Sequence, residues 1–258
     1  MDSKTLATEA RKKILTMVHK AGTSHIASNF SVIDIATVLY ENLKEGDEVV
    51  WSKGWAAASV YYFLAKQGKI PCEDLDKFPN PPYLGLAETF VNGVLVSGGS
   101  VGHGLSMAVG IALAKKRSGQ GGIVYCVMSD GELNEGSVWE AVIMAAHHKL
   151  DNLVAIIDQN GWQAMGRTED ILDVNPLNAF EGFGWHAVAL DGHDYEKLDN
   201  GMYIARNHGL SPLVLVCNTV KGKGVSFFED HLLYHYKHVE KDEFERAMAE
   251  LEGASVPV

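Results

Sequence analysis

Two oxygen-bearing side chains set thirty residues apart carry the strongest chemical signal in this chain. The first is Asp130, in the turn Ser129-Asp130-Gly131-Glu132-Leu133-Asn134-Glu135-Gly136; the second is Asn160. An apolar run at 122–128 has strand length, as does 153–158, and the stretch 132–149 between them has helical composition. A strand–turn–helix–strand–Asn unit places both side chains at the carboxyl ends of parallel strands, where open α/β sheets bind ligands. Hard cations take such oxygens, and Mg²⁺ is commonly held by one or two carboxylates plus phosphate oxygens and water. The unit therefore reads as the anchor of a diphosphate cofactor held through a metal ion. Alone, Asp130-Gly131 is equally an ordinary strand-to-helix turn with Asp near a helix N-terminus; Asn160 at this spacing makes the first reading specific.

Three further stretches could do chemistry. Residues 96–106 hold Gly98, Gly99, Gly102, His103 and Gly104, and glycines there let backbone amides approach an anion at a helix N-terminus. The alternative is a flexible turn before a buried helix. Residues 20–25 place His25 in a Gly/Ser loop after a helix, where on its own it reads as a cap. Residues 221–225, Lys-Gly-Lys-Gly-Val, precede Glu229, His231 and His235; a lone basic-glycine loop is usually a solvated turn.

The elements that must position these residues follow from periodicity. Leu6, Ala10, Ile14 and Val18 give a first helix over 3–20, and a second runs from Ser31, its cap, to Leu43. A short strand at 48–51, a helix at 54–66, a proline-rich loop at 72–86 with one helical turn, and a small-residue helix at 102–116 come next. After 153–158 come a polar loop (159–176), helix 176–182, strand 184–190, helix 194–208, strand 212–218, loop 221–239 and helix 240–250. Alternating strands and helices predict a parallel sheet covered by helices on both faces, one α/β domain over 1–258.

Composition narrows the function classes. A net charge of −11 argues against nucleic acid or an anionic membrane as partner. No signal pattern or long apolar span is visible. The three cysteines have no metal-ligand spacing, and Cys126 and Cys217 sit in apolar strands as buried thiols, which fits the cytoplasm.

In combination the motifs resemble the N-terminal, thiamine-diphosphate-binding part of transketolase. The stretches that carry the resemblance are KAGTSH at 20–25, SKGWA at 52–56, GGSVGHG at 98–104, SDGELNEG at 129–136, DQN at 158–160 and NTVKGKGV at 218–225. The resemblance spans nearly the whole chain. It implies that Asp130, Asn160 and the Trp162 carbonyl bind Mg²⁺, or Ca²⁺ or Mn²⁺ in its place. The diphosphate would lie against Gly131 and Glu132 and the loop of Gly99, Ser100, Val101, Gly102 and His103, with Lys223 in a loop closing over the site. His25 and His235 would handle protons and substrate hydroxyls at the reacting carbon, and His103 would face the cofactor. Glu135 would join a proton relay across a subunit interface. The implied activity is transfer of a two-carbon ketol unit between sugars or sugar phosphates. The implied assembly is α₂β₂ with a separate chain carrying the pyrimidine-binding and C-terminal domains.

The departures bear on substrate. Trp55 stands where the family has His, the Gly-His-Pro-Glu segment appears as Tyr83-Leu-Gly85-Leu-Ala-Glu88, and Ile26-Ala27-Ser28 replaces Pro-Gly-Gly. An indole offers one N–H donor and no acid/base group near neutral pH. Either Trp55 lines the substrate channel and shifts substrate choice, or it turns into the core of the 54–66 helix. Two other readings of the chain stay open: the α-subunit of a 2-oxo acid dehydrogenase, which shares the acidic turn, and a catalytically inactive partner subunit.

Overall fold

The computed structural model describes residues 2–253. In chain order its elements are α1 (Ser3–Ala21), α2 (Ile26–Ser31), α3 (Ile33–Asn42), β1 (Glu48–Trp51), α4 (Ala57–Lys66), α5 (His103–Ser118), β2 (Val124–Ser129), α6 (Gly136–His147), β3 (Leu153–Gln159), α7 (Thr168–Leu172), α8 (Pro176–Gly182), β4 (His186–Asp191), α9 (Tyr195–Asn207), β5 (Leu213–Asn218), α10 (Leu233–Tyr236) and α11 (Lys241–Leu251). The five strands form one parallel sheet in the order β1-β2-β3-β5-β4.

Both faces of the sheet are covered, as the near-continuous apolar strands predict. Strand side chains alternate between two cores. Val124, Cys126 and Met128 join Leu105, Ala108 and Val138 of α5 and α6 on one side. Tyr125 and Val127 join residues of α1, α3 and α4 on the other. Cys126 and Cys217 are buried free thiols. No helix among the described residues is long and apolar enough to cross a membrane.

Four details differ from the sequence reading. Ser31 ends α2 rather than capping α3, because its hydroxyl donates to Asp158 (2.6 Å) and receives Lys53 (2.9 Å). The stretch 132–149 divides into a 3-10 turn, Asp130–Asn134, and α6, since Glu135 adopts an extended backbone between them. The loops at 159–176 and 221–239 each hold a short helix, α7 and α10.

Register explains why the site forms where it does. Ser129 pairs with Asp158, and Gln159 with Asn218, so β2, β3 and β5 end level. The residues that follow, Asp130, Asn160 and Thr219 to Lys221, therefore meet at one edge, joined by Ser52 and Lys53 after β1.

Candidate active site

Asp130 is buried, and its two oxygens accept hydrogen bonds from the backbone amides of Gly131 (2.9 Å) and Gly161 (2.7 Å). Burial, and then the negative charge of Asp158, raise its carboxyl to about 6. Asn160 is also buried, and its side-chain oxygen accepts from the Trp162 amide (3.1 Å). Lys53 is held by Asp158 and Ser31. Asp130 is thus a buried carboxylate with no side-chain cation of its own among the described residues, an arrangement that is costly unless a positive ion joins it. Its oxygen donors suit a hard divalent cation.

Beside this pair lies a cavity of about 220 Å³. Its walls include Ser52, Lys53, Gly131, Asn160, Lys221 and His235, and also Val101, Glu135 and Trp162. Gly54 lets two loops close on it: a methyl group there would sit 2.6 Å from the Gly99 nitrogen. Glu132 turns its carboxylate inward, accepting from the amides of Ser129 (2.9 Å) and Gly102 (3.2 Å) and from the Ser52 hydroxyl. Its side chain therefore knits the glycine loop to β2 and leaves only backbone for a phosphate.

An aromatic and cationic cluster closes the far side. His25 adopts φ 70°, a left-handed conformation uncommon outside glycine, and its Nδ1 is buried without a partner. Backbone outliers of this kind gather at functional sites. Its ring stacks on Trp55 at 4.5 Å and meets His235 edge-on at 4.7 Å. Trp55 is 42 % exposed, so it faces the cavity and is not part of the helix core. Lys221 is buried, and its Nζ lies 2.8 Å from His235 Nδ1. An ammonium only donates, so His235 accepts at Nδ1 and carries its proton on Nε2.

Burial, then the charge of Lys221, lower His25 to about 4 and His235 to about 3. Burial also lowers Lys221, to about 8. Near pH 7 both imidazoles are neutral and Lys221 is mostly charged. The unfolded chain would take up protons near pH 6.5, whereas the folded one resists until about pH 4 and 3. The stability these histidines contribute is therefore complete above pH 6.5 and is lost as pH falls below it. Denaturant titrations of the cofactor-free chain should show stability falling from pH 6.5 to 4. His25→Asn, which tolerates the left-handed backbone, should show a shallower slope; an unchanged slope would contradict these assignments.

Two expected site residues lie elsewhere. Lys223 pairs with Glu229 (3.3 Å) and lines a separate cavity with Arg11 and Asp34, because the Gly222 and Gly224 turns point it away. Lys221 takes its place in the cavity. His103 is exposed at the start of α5, where the left-handed turn at Gly102 lets its ring fold back on Ser100 (3.3 Å). Of the glycine loop only Val101 lines the cavity, while Gly99, Ser100 and Gly102 adjoin it in sequence, and Glu135 is an exposed residue of the cavity wall. The sequence reading missed Lys53 and Asp158 as a buried pair, and Lys221; all three lie within three residues of a strand's carboxyl end, a position that marks them.

Residues 3–253 match the family described as transketolase, thiamine diphosphate binding domain. The chain belongs to this family. Its similar relatives include single subunits of transketolases. An apulose-4-phosphate transketolase subunit from Actinobacillus succinogenes is 36% identical over 93% of this chain and 92% of its own length. The 6-deoxy-6-sulfo-D-fructose transketolase subunit of a Clostridium strain is 33% identical over 94% and 93%. Human transketolase is 34% identical over 90% of this chain but only 39% of its own length. The solved transketolase of Campylobacter jejuni superimposes with a TM-score of 0.89 at 27% identity, covering 98% of this chain. This chain spans 43% of that structure's length. The chain thus shares the fold of the transketolase thiamine diphosphate binding domain.

Proposed function

We propose that the chain is the diphosphate- and metal-binding subunit of a two-chain, cytoplasmic transketolase-like enzyme. It transfers a two-carbon ketol unit from a ketose donor to an aldose or aldehyde acceptor. The observation that carries this reading is the buried Asp130 carboxylate, set with Asn160 beside a cavity and forming no ion pair among the described residues. Relatives of matching length named as subunits support a separate partner chain; the assembly proposed with it is α₂β₂.

Asp130, Asn160 and the Trp162 carbonyl would hold Mg²⁺, or Ca²⁺ or Mn²⁺. Gly131 and the backbone of Gly99 to Val101 would receive the diphosphate, with Lys221 as the nearby cation. Bound thiamine diphosphate supplies the carbanion chemistry that a two-carbon transfer requires. This chain's own residues orient and exclude water. His235, with its Nε2 proton fixed by Lys221, is a neutral donor toward a substrate oxygen, and His25 braces it against Trp55. Glu135, exposed in the cavity wall, would join a proton relay to a neighbouring subunit.

Calorimetric titration of thiamine diphosphate into the assembled enzyme tests the site. With Mg²⁺ present, binding should be at least about a hundredfold tighter than in EDTA, about 2.8 kcal/mol. Equal affinity in EDTA would remove the metal from the account.

A further inference from the structure

We propose that the buried Asp34 cluster is a clamp that positions Lys221, with His193 and Arg11 as its two arms. The proposal rests on the reading of the Lys221 cavity as the cofactor site.

Asp34, near the start of α3, receives four hydrogen bonds. Its Oδ1 accepts from Arg11 (2.9 Å) and the Tyr195 hydroxyl (2.6 Å). Its Oδ2 accepts from Arg11 (2.7 Å) and His193 Nδ1 (2.7 Å). Burial opposes its ionisation, but these donors, His193 first, hold its carboxyl far below the usual range. One carboxylate thus ties together α1, α3 and the connection from β4 to α9.

Two arms leave this centre for the loop after β5. His193 Nε2 accepts from the Val220 amide at 2.8 Å. Arg11 Nε donates to the Lys223 carbonyl at 2.8 Å. The arms grip the backbone one residue before Lys221 and two residues after it. Gly224 permits the second grip, since a methyl group there would meet the Arg11 side chain at 2.9 Å. None of Asp34, Arg11 and His193 lines the site cavity, and the hydrogen bonds to the Val220 amide and the Lys223 carbonyl link the cluster to it through the loop.

The geometry also fixes the chemical form of His193. It donates at Nδ1 to a carboxylate and accepts at Nε2 from an amide. Only the neutral ring with its proton on Nδ1 does both. A shift of Val220 would move Lys221, and with it the donor that sets the His235 tautomer. Partners behind a working group commonly cost 10- to 100-fold when removed.

The test uses the full chain. His193→Ala cuts one arm. His193→Gln keeps an N–H donor and a carbonyl acceptor about as far apart as the two ring nitrogens. Arg11→Lys keeps a cation beside Asp34 and cuts the other arm. The first readout is the acetylation rate of Lys221 by acetic anhydride without cofactor, followed by mass spectrometry. His193→Ala and Arg11→Lys should raise it by about fivefold or more as the buried amine is released, and His193→Gln should stay near the parent. The second readout is thiamine diphosphate affinity of the assembled enzyme. His193→Ala should weaken it about tenfold, and His193→Ala combined with Lys221→Met should be no weaker than Lys221→Met alone. Unchanged Lys221 acetylation in both arm-cutting variants, or losses that add in the double variant, would overturn the clamp. A parent that acetylates slowly, and whose variants release Lys221, but that binds no thiamine diphosphate would overturn the cofactor reading and keep the clamp.

Discussion

Asp130→Ala should abolish Mg²⁺-dependent thiamine diphosphate binding in the assembled enzyme and leave the fold intact. The carboxylate is the one anionic donor in the proposed metal set, and Asn160 and a backbone carbonyl are neutral. Its removal should cost at least about a hundredfold in affinity, near 2.8 kcal/mol. The cofactor-free chain should tolerate the change. It loses bonds from the Gly131 and Gly161 amides, but it also loses a buried charge that forms no ion pair among the described residues. Asp130→Asn separates these effects by keeping an acceptor without the charge; it should fold like the parent and bind no better than the alanine variant in Mg²⁺. The checks are calorimetry for affinity and thermal unfolding for the fold. Unchanged affinity in Asp130→Ala would remove this residue from the site.

Trp55→His should raise turnover of ordinary sugar phosphates. The indole lines the cavity and stacks on His25. It fills space with an apolar surface and cannot exchange a proton near neutral pH. An imidazole there would free volume and add a third acid/base group to the cluster of His25 and His235. With xylulose 5-phosphate as donor and ribose 5-phosphate as acceptor, kcat/KM should rise about tenfold. Thiamine diphosphate affinity should change little, because Trp55 is not among the proposed ligands of the metal or the diphosphate. Efficient use of both sugars by the parent would defeat the idea, as would a variant no faster than the parent.

The fold was largely legible because its signals are local. Apolar runs at 122–128, 153–158 and 212–218 read as buried parallel strands, and each forms within two residues of its expected start. The acidic turn and Asn160 were legible for the same reason, since a strand end fixes the place of the residue after it. What was hidden depends on contacts distant in sequence. Ser31 and Asp34 look like a helix-capping pair, yet both face inward: Ser31 to Asp158 and Lys53, Asp34 to Arg11, His193 and Tyr195. In Lys221-Gly-Lys223 either lysine could serve, and only the turn geometry of the two flanking glycines chooses Lys221. His103 belongs to a matching motif, but its ring direction is set by the Gly102 turn. Whether Trp55 pointed inward or into the cavity was open for a similar reason: a 3-10 turn at Gly54–Ala56 precedes α4 and rotates the side chain off the helix face.

The central claim is that this chain works as one half of a ketol-transferring enzyme. Its most direct test is an assay on mixing. The purified chain and a chain carrying the pyrimidine-binding and C-terminal transketolase domains are measured separately and together, with thiamine diphosphate and Mg²⁺ throughout. Two-carbon ketol transfer should be absent from each chain and present in the mixture, rising to a plateau at equal amounts of the two. Full transfer by this chain alone, or none in a mixture that assembles and binds cofactor, would contradict the account.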